Sequence, residues 1–455
     1  MQFDTTEVKG LDYLSTPTGI IEEAQQLASE AFGADKSWFL VNGTTVGIHA
    51  AVMSVAEPHD SLLLSRDCHQ SAFSALVLSG ARPVWVQPAF DHKFGIATVS
   101  TENFKQRMSE VDETPSAALI VSPNYFGVCA DVSEISKACH DLNIPLIVDE
   151  AHGSHFAFDA MLPQTSLEAG ADLVVQSTHK TLSAMTQASV LHAKGKRVNL
   201  DRVSASLQIL QSSSPNYLLM SSIDAARAHA SLASDYYEGD SPGTQTFKKA
   251  IQDCMEFKRE IASIGGLSVL GINGGDSPVF RNQRRLDPLR VTVSVSELQH
   301  SGFEVSSILE EEYGIVSELS TNKCIVFIVT LSTLHSDLEQ LAGALREIAG
   351  RSRGTQSSSA ERDANTALLD LAFECTQVLS PRDAFFSKHC RVDIRKAVGR
   401  ICAEIVCPYP PGIPMLYPGE EISESALDFL HCFKADGGYV TGCSDTTLKT
   451  ILVVE

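Results

Sequence analysis

An acid and an amine stand out because each comes after a short apolar run. Asp149 follows the run at 146–148, and Lys180 closes QSTHK at 176–180, just after the run at 173–175. Such runs, between stretches of helical spacing, read as buried strands of a parallel sheet. The carboxyl ends of those strands are where α/β sheets bind their ligands. Taken singly, the plainer readings are a helix cap for Asp149 and a solvated amine for Lys180. A third feature belongs to the same rim: VNGTTVG at 41–47 runs a strand into Gly43, Thr44 and Thr45 ahead of a helical stretch. Backbone N–H groups and hydroxyls at a helix N-terminus form an anion site, the natural seat of a phosphate. Ser177 and His179, close to the amine in sequence, are placed to complete it. A phosphate site, a carboxylate and a lysine together point to pyridoxal phosphate, whose aldehyde takes a lysine as a Schiff base and whose ring nitrogen wants an acidic partner.

The elements that must hold these residues are read from periodicity. Residues 20–32 carry an apolar helical face that Gly33 can end, and a strand follows at 38–41. Apolar runs at 62–64, 84–86, 117–121, 146–148 and 173–175 alternate with helical stretches such as 71–78 and 132–142. Alternation of this kind predicts an α/β fold, a mainly parallel sheet with helices on both faces. Strands around 289–295 and 325–331 suggest a smaller α/β unit behind it. The expected organisation is a large domain over 1–270, a small α/β domain over 271–350, a linker at 351–366 and a C-terminal domain over 367–455. In the last of these CPYPPGIP at 407–414 must form a rigid extended loop, because its prolines cannot sit inside an element.

Composition removes other classes. The 455 residues carry 35 Lys and Arg against 56 Asp and Glu, a net charge of −21, which repels phosphate backbones and anionic membrane surfaces. No nucleic-acid or membrane partner is expected. The longest apolar stretch, around 324–331, is far shorter than the roughly 18 residues a membrane helix needs. The N-terminus has no signal or transit composition, so a cytoplasmic location is expected. Eleven cysteines without a CxxC pair suggest reduced thiols, with no disulfide framework and no metal site.

Several strings occur in order along nearly the whole chain: NGTTVG, CHQS at 68–71, SPNYFG at 122–127, VDEAHGSH at 148–155, QSTHK, and CPYPPGIP with PGEE at 418–421. In these the chain resembles the pyridoxal-phosphate-dependent ornithine/lysine/arginine decarboxylases of bacterial type. The resemblance implies an aspartate-aminotransferase-like fold. It implies decarboxylation of a basic amino acid to an amine and carbon dioxide, in polyamine biosynthesis, with arginine slightly favoured over lysine and ornithine. Carried over by position, it makes Lys180 the Schiff-base lysine and Asp149 the partner of the ring nitrogen. Gly43, Thr44, Thr45, Ser177 and His179 match the phosphate side, His69 the histidine that stacks on the ring, and His152 a position beside the cofactor. His69 and His152 are the candidate proton donors to the substrate Cα. A homodimer or larger assembly is implied, because active sites of this family are shared across a two-fold interface.

Two departures accompany the match. Gln70 follows His69 where relatives often carry lysine, and the chain opens at MQFDTTEVKGLDYL without the preceding segment, bearing a Pro-Gly-His-Lys type string, that relatives usually have. Were such a segment missing, an organellar location would also fit. The substrate's distal cation needs an anionic partner, and Glu420, in the rigid PGEE turn, is the first candidate, with Asp224 next. The rival functions are an aminotransferase or lyase on the same fold, and a catalytically silent regulator.

Overall fold

The computed structural model describes residues 5–234, 246–272, 285–352, 372–374, 376–409 and 412–455. From residue 353 onward the expected linker lies outside the described residues, as do Pro410 and Pro411 of the proline-rich loop.

The chain enters through α1 (Ile20–Phe32) and β1 (Lys36–Leu40). Ile21, Ala28 and Phe32 are buried on one face of α1, and Gly33 ends the helix in the left-handed conformation, its N–H bonded to the Ser29 carbonyl. Helix α2 (Gly43–Val55) leads to β2 (Ser61–Ser65), and α3 (Gln70–Ser79) to β3 (Arg82–Val86). A hairpin of β4 (Ala89–Asp91) and β5 (Ile96–Thr98) then precedes α4 (Thr101–Glu110) and β6 (Ala117–Val121). Helix α5 (Val132–Asp141) leads to β7 (Leu146–Asp149); β8 (Leu173–Gln176) runs into a one-turn helix, α6 (Thr178–Thr181), before β9 (Ser189–Ala193).

Seven of these strands form one sheet in the order β1-β9-β8-β7-β6-β2-β3. The five from β8 to β3 pair in parallel. β9 runs antiparallel to both of its neighbours, a reversal the apolar runs did not announce. Successive side chains leave opposite faces of a strand. Leu63, Ile120, Val148 and Val174 therefore join one core, and Leu62, Leu64, Ile147 and Val175 the other. Burial on both faces is why these strands read as unbroken apolar runs.

Helices α7 (Leu200–Leu210), α8 (Tyr217–Leu232) and α9 (Phe247–Ala262) carry the chain to an antiparallel sheet in the order β10-β11-β13-β12. Its strands are β10 (Ser268–Val269), β11 (Arg290–Ser294), β12 (Leu319–Ser320) and β13 (Cys324–Ile328), with α10 (Gly302–Tyr313) packed beside it and α11 (His335–Arg351) packed on α9 and α10. The C-terminal part forms a separate apolar cluster around Ile394, Leu416, Leu430 and Ile451. Its helix Glu424–Ala435 and two short strand pairs complete the chain; against the loop expected over 407–414, Cys407–Tyr409 is a strand that holds Pro408 opposite Val440. Among the described residues no helix is long and apolar enough to cross a membrane.

Candidate active site

One cavity of about 370 Å³ lies at the carboxyl ends of the large sheet. Five strand ends deliver its wall: β1 leads to Gly43, Thr44 and Thr45, β2 to Asp67 and His69, and β6 to Asn124 and Tyr125. β7 leads to Asp149, Ala151 and His152, and β8 to Ser177, His179 and Lys180. Every residue expected on the cofactor side thus faces this one cavity, the location that parallel-sheet topology favours for a ligand.

The phosphate side is built from a helix end and hydroxyls. Asn42 occupies the N-cap of α2 without capping it; its side-chain oxygen instead accepts from Ser212 N–H at 3.0 Å. The first N–H groups of this 13-residue helix are therefore left for an anion. Gly43 adopts a φ of +77°, which opens the turn without strain. Thr44 Oγ1 lies 3.0 Å from Ser189 Oγ and within hydrogen-bond reach of Ser177 Oγ. Ser189 sits on β9, and no spacing in the sequence pointed to it. Thr45 is exposed at the rim. His179 is anchored by Nδ1, which lies 2.8 Å from the Ala188 carbonyl and donates to it.

Asp149 is buried, and its Oδ1 accepts from Ala151 N–H at 3.1 Å. Desolvation raises its pKa, and the nearby Lys180 works in the other direction. A buried carboxylate in this state has unused capacity for a cationic N–H, which is what a pyridinium nitrogen presents. His69 caps α3 through Nδ1, which accepts from Ser71 N–H at 3.2 Å. Burial, with the neighbouring Lys180 and His49 charges, pushes its pKa down to about 4, so the ring is neutral. Lys180 Nζ is 3.0 Å from His152 Nε2 and 5.4 Å from the centroid of the Tyr125 ring. Burial lowers the Lys180 pKa while Asp149 opposes the shift. His152 is lowered well below its ordinary value by burial and then by Lys180 and Arg290. These residues fit pyridoxal phosphate: an amine, an acid and an anion cradle line one cavity.

The opposite wall comes from distant parts of the chain. Asn322 and Lys323 of the turn between β12 and β13 and Met415, Phe429, Phe433 and Asp436 of the C-terminal part line the cavity. Asp436 Oδ2 accepts from Asn322 Nδ2 at 2.7 Å, and the Phe429 and Phe433 rings are stacked with centroids 6.0 Å apart. The two residues expected to meet the substrate's distal cation are elsewhere. Glu420 is buried against Arg66, at 3.4 Å. The Arg66 guanidinium lies among the rings of Phe73, Trp85, Phe373 and Tyr417 and donates to the Pro414 and Met415 carbonyls. Glu420 thus joins the C-terminal part to the end of β2. Asp224 pairs with Arg227 on α8 at 2.8 Å and lines a separate depression beside α1. The PGEE composition revealed a turn but not which way its carboxylates face; Asp436, in ADGG at 435–438, carried no recognisable signal.

Residues 1–337 match the family described as Orn/Lys/Arg decarboxylase, major domain, and residues 368–442 its C-terminal domain. An arginine decarboxylase of Bacillus subtilis is 35% identical over 460 residues, covering 100% of this chain and 89% of the relative. The solved structure of lysine decarboxylase A from Pseudomonas aeruginosa shares the fold at a TM-score of 0.81 and 20% identity, over 99% of this chain and 74% of that one. The ureidoglycine-glyoxylate aminotransferase of Bacillus subtilis shares it over 77% of this chain and 89% of that one, at 0.57 and 14% identity, so the large sheet has the aminotransferase-like fold. With both domain matches and a full-length relative at this identity, the chain belongs to the Orn/Lys/Arg decarboxylase family and is an amino-acid decarboxylase.

Proposed function

We propose that the chain decarboxylates arginine, releasing carbon dioxide and the corresponding amine as a polyamine precursor, with pyridoxal phosphate as cofactor. The observation that carries this reading is the convergence of Lys180, Asp149 and the uncapped N-terminus of α2 on one cavity. When bound, pyridoxal phosphate supplies an aldehyde for an amine and a ring that accepts the electron pair left as carbon dioxide departs. Lys180 offers the amine, and burial favours its uncharged, nucleophilic form. Asp149 would hold a proton on the ring nitrogen, while Thr44, Ser177, Ser189 and the α2 N–H groups would hold the phosphate. His69, which lines the same cavity, would stack on the ring. His69 and His152 are the candidates to relay the proton that Cα takes up.

Arginine is favoured because full-length relatives at 34–35% identity are named arginine decarboxylases. Its guanidinium is permanently charged and needs a carboxylate or aromatic partner when it leaves water. Asp436 and Phe433 on the outer wall supply both. The homodimer implied by the family resemblance is part of this proposal, and sedimentation velocity of the purified chain tests it. The deciding experiment measures carbon dioxide and amine formation from arginine, lysine and ornithine with added cofactor. Preferential turnover of arginine supports the reading. Amino-group transfer to a 2-oxo acid without carbon dioxide, or no turnover of any of the three, overturns it.

A further inference from the structure

Behind the amine lies a buried arginine that the chemistry above leaves without a role. Arg290, on β11, places Nη2 at 3.0 Å from His152 Nδ1. Its Nε and Nη1 reach no hydrogen-bond partner among the described residues. The contact with His152 is therefore the one hydrogen bond its side chain makes there. On the other side of the same ring, His152 Nε2 is 3.0 Å from Lys180 Nζ. Tyr125 packs beside the ring, with centroids 4.5 Å apart. Gly127 lets the backbone close over Arg290; a Cβ there would lie 2.6 Å from Arg290 Cβ.

A guanidinium donates hydrogen bonds and accepts none. Arg290 therefore donates to Nδ1, which must be bare. A neutral imidazole carries its single proton on the other nitrogen, so Nε2–H points at Lys180. An ammonium has three donors and no lone pair, whereas a free amine has one to offer. We propose that Arg290 is a positioning residue that fixes the tautomer of His152, so that Nε2–H donates to Lys180 and holds it as an uncharged amine. The inference rests on the reading of Lys180 as the reacting amine, and gives that reactive state a cause in the fold.

The other charges around the pair do not do this. Asp149 and Glu318 face Lys180 and favour its ammonium form, while Arg290 and burial disfavour it. Lys180, Arg290, His69 and His179 all face His152 and oppose a second proton on its ring. Arg290 is itself faced by Asp287, Glu318 and Tyr125. Of these groups Arg290 alone hydrogen-bonds the ring nitrogen opposite Lys180. Its loss removes a cation and frees the Nδ1–H tautomer, whose bare Nε2 accepts from an ammonium. Both changes raise the proton affinity of Lys180.

The test uses the full chain without added cofactor. Competitive acetylation of its amines across a pH series, read on the Lys180 peptide by mass spectrometry, gives the protonation midpoint of that amine with no turnover required. Arg290→Met removes the donor and the charge and should raise the midpoint by about one pH unit, close to a tenfold loss of free amine at neutral pH. Arg290→Lys keeps both and should return the midpoint toward the parent value, a rescue that a purely structural role would not give. An unchanged midpoint in folded Arg290→Met overturns the proposal. Should that variant not fold, solid-state nitrogen-15 spectra of the histidine-labelled parent decide the matter. The His152 signal, assigned by its loss in His152→Gln, must show a protonated Nε2 and a bare Nδ1, and the reverse pattern overturns the proposal. Neither readout involves decarboxylation, so a failed substrate assay and a failed tautomer assignment are distinguishable.

Discussion

Glu420→Gln should weaken the fold while leaving the Michaelis constant for arginine within about twofold of the parent. Glu420 and Arg66 are 2% and 0% exposed and lie 3.4 Å apart. At an effective dielectric constant of about 20 their mutual attraction is roughly 5 kcal/mol before desolvation is subtracted. Removing one member of a buried pair usually costs about 3–5 kcal/mol, because the remaining charge stays buried. Here the lower end applies, since Arg66 keeps two carbonyl acceptors and four rings at 5.2–5.6 Å. With an unfolding entropy of about 2.1 cal/mol/K per residue, a loss of about 3 kcal/mol in a cooperatively unfolding chain of this length lowers the melting temperature by about 3 °C. Calorimetry on the holoprotein, paired with steady-state kinetics, reads both quantities. The double variant Arg66→Met, Glu420→Leu should recover most of the stability, because an apolar pair of similar volume carries no desolvation cost. An unchanged melting temperature with a severalfold higher Michaelis constant would refute this reasoning and return Glu420 to the substrate.

Lys180→Ala should abolish turnover while the far-ultraviolet spectrum and melting temperature stay near the parent, since Nζ hydrogen-bonds only His152 among the described residues; measurable decarboxylation would sink its role. Asp149→Asn should retain cofactor but lower kcat by at least about 100-fold, because a neutral amide holds a ring proton weakly; dialysis and kinetics separate the two effects. Asp436→Asn should raise the Michaelis constant for arginine about tenfold with kcat little changed, the pattern of a lost charge-assisted contact, and equal kinetics would remove Asp436 from the substrate wall. Buried His192 has its pKa pushed from 6.5 to about 3 by desolvation. Only the unfolded chain takes up that proton between these values, so stability is full above pH 6.5 and declines as pH falls toward 3, by up to about 1.4 kcal/mol per unit. Urea titrations of His192→Gln should show a shallower decline over that window, and an identical decline would place the acid sensitivity elsewhere.

What the sequence by itself determined was local. Asp149 and Lys180 were legible because each lies at or just beyond the end of an apolar strand, and in a parallel sheet all such ends share one rim. Thr44 and Ser177 were legible because a strand running into a helix start is a short-range pattern, and the family resemblance added His69 and His152. Tertiary structure decided everything that depends on chain segments meeting from far apart. Ser189 reaches the phosphate side because β9 runs against its neighbours. Arg290 reaches His152 across 138 positions, and Asn322 meets Asp436 across 114. Glu420 shows the same limit from the other side: Pro and Gly in PGEE specify a turn, but the direction of its carboxylate was set by a buried guanidinium 354 positions away. Periodicity and turn chemistry report the conformation of a few adjacent residues, whereas these contacts depend on how whole elements pack.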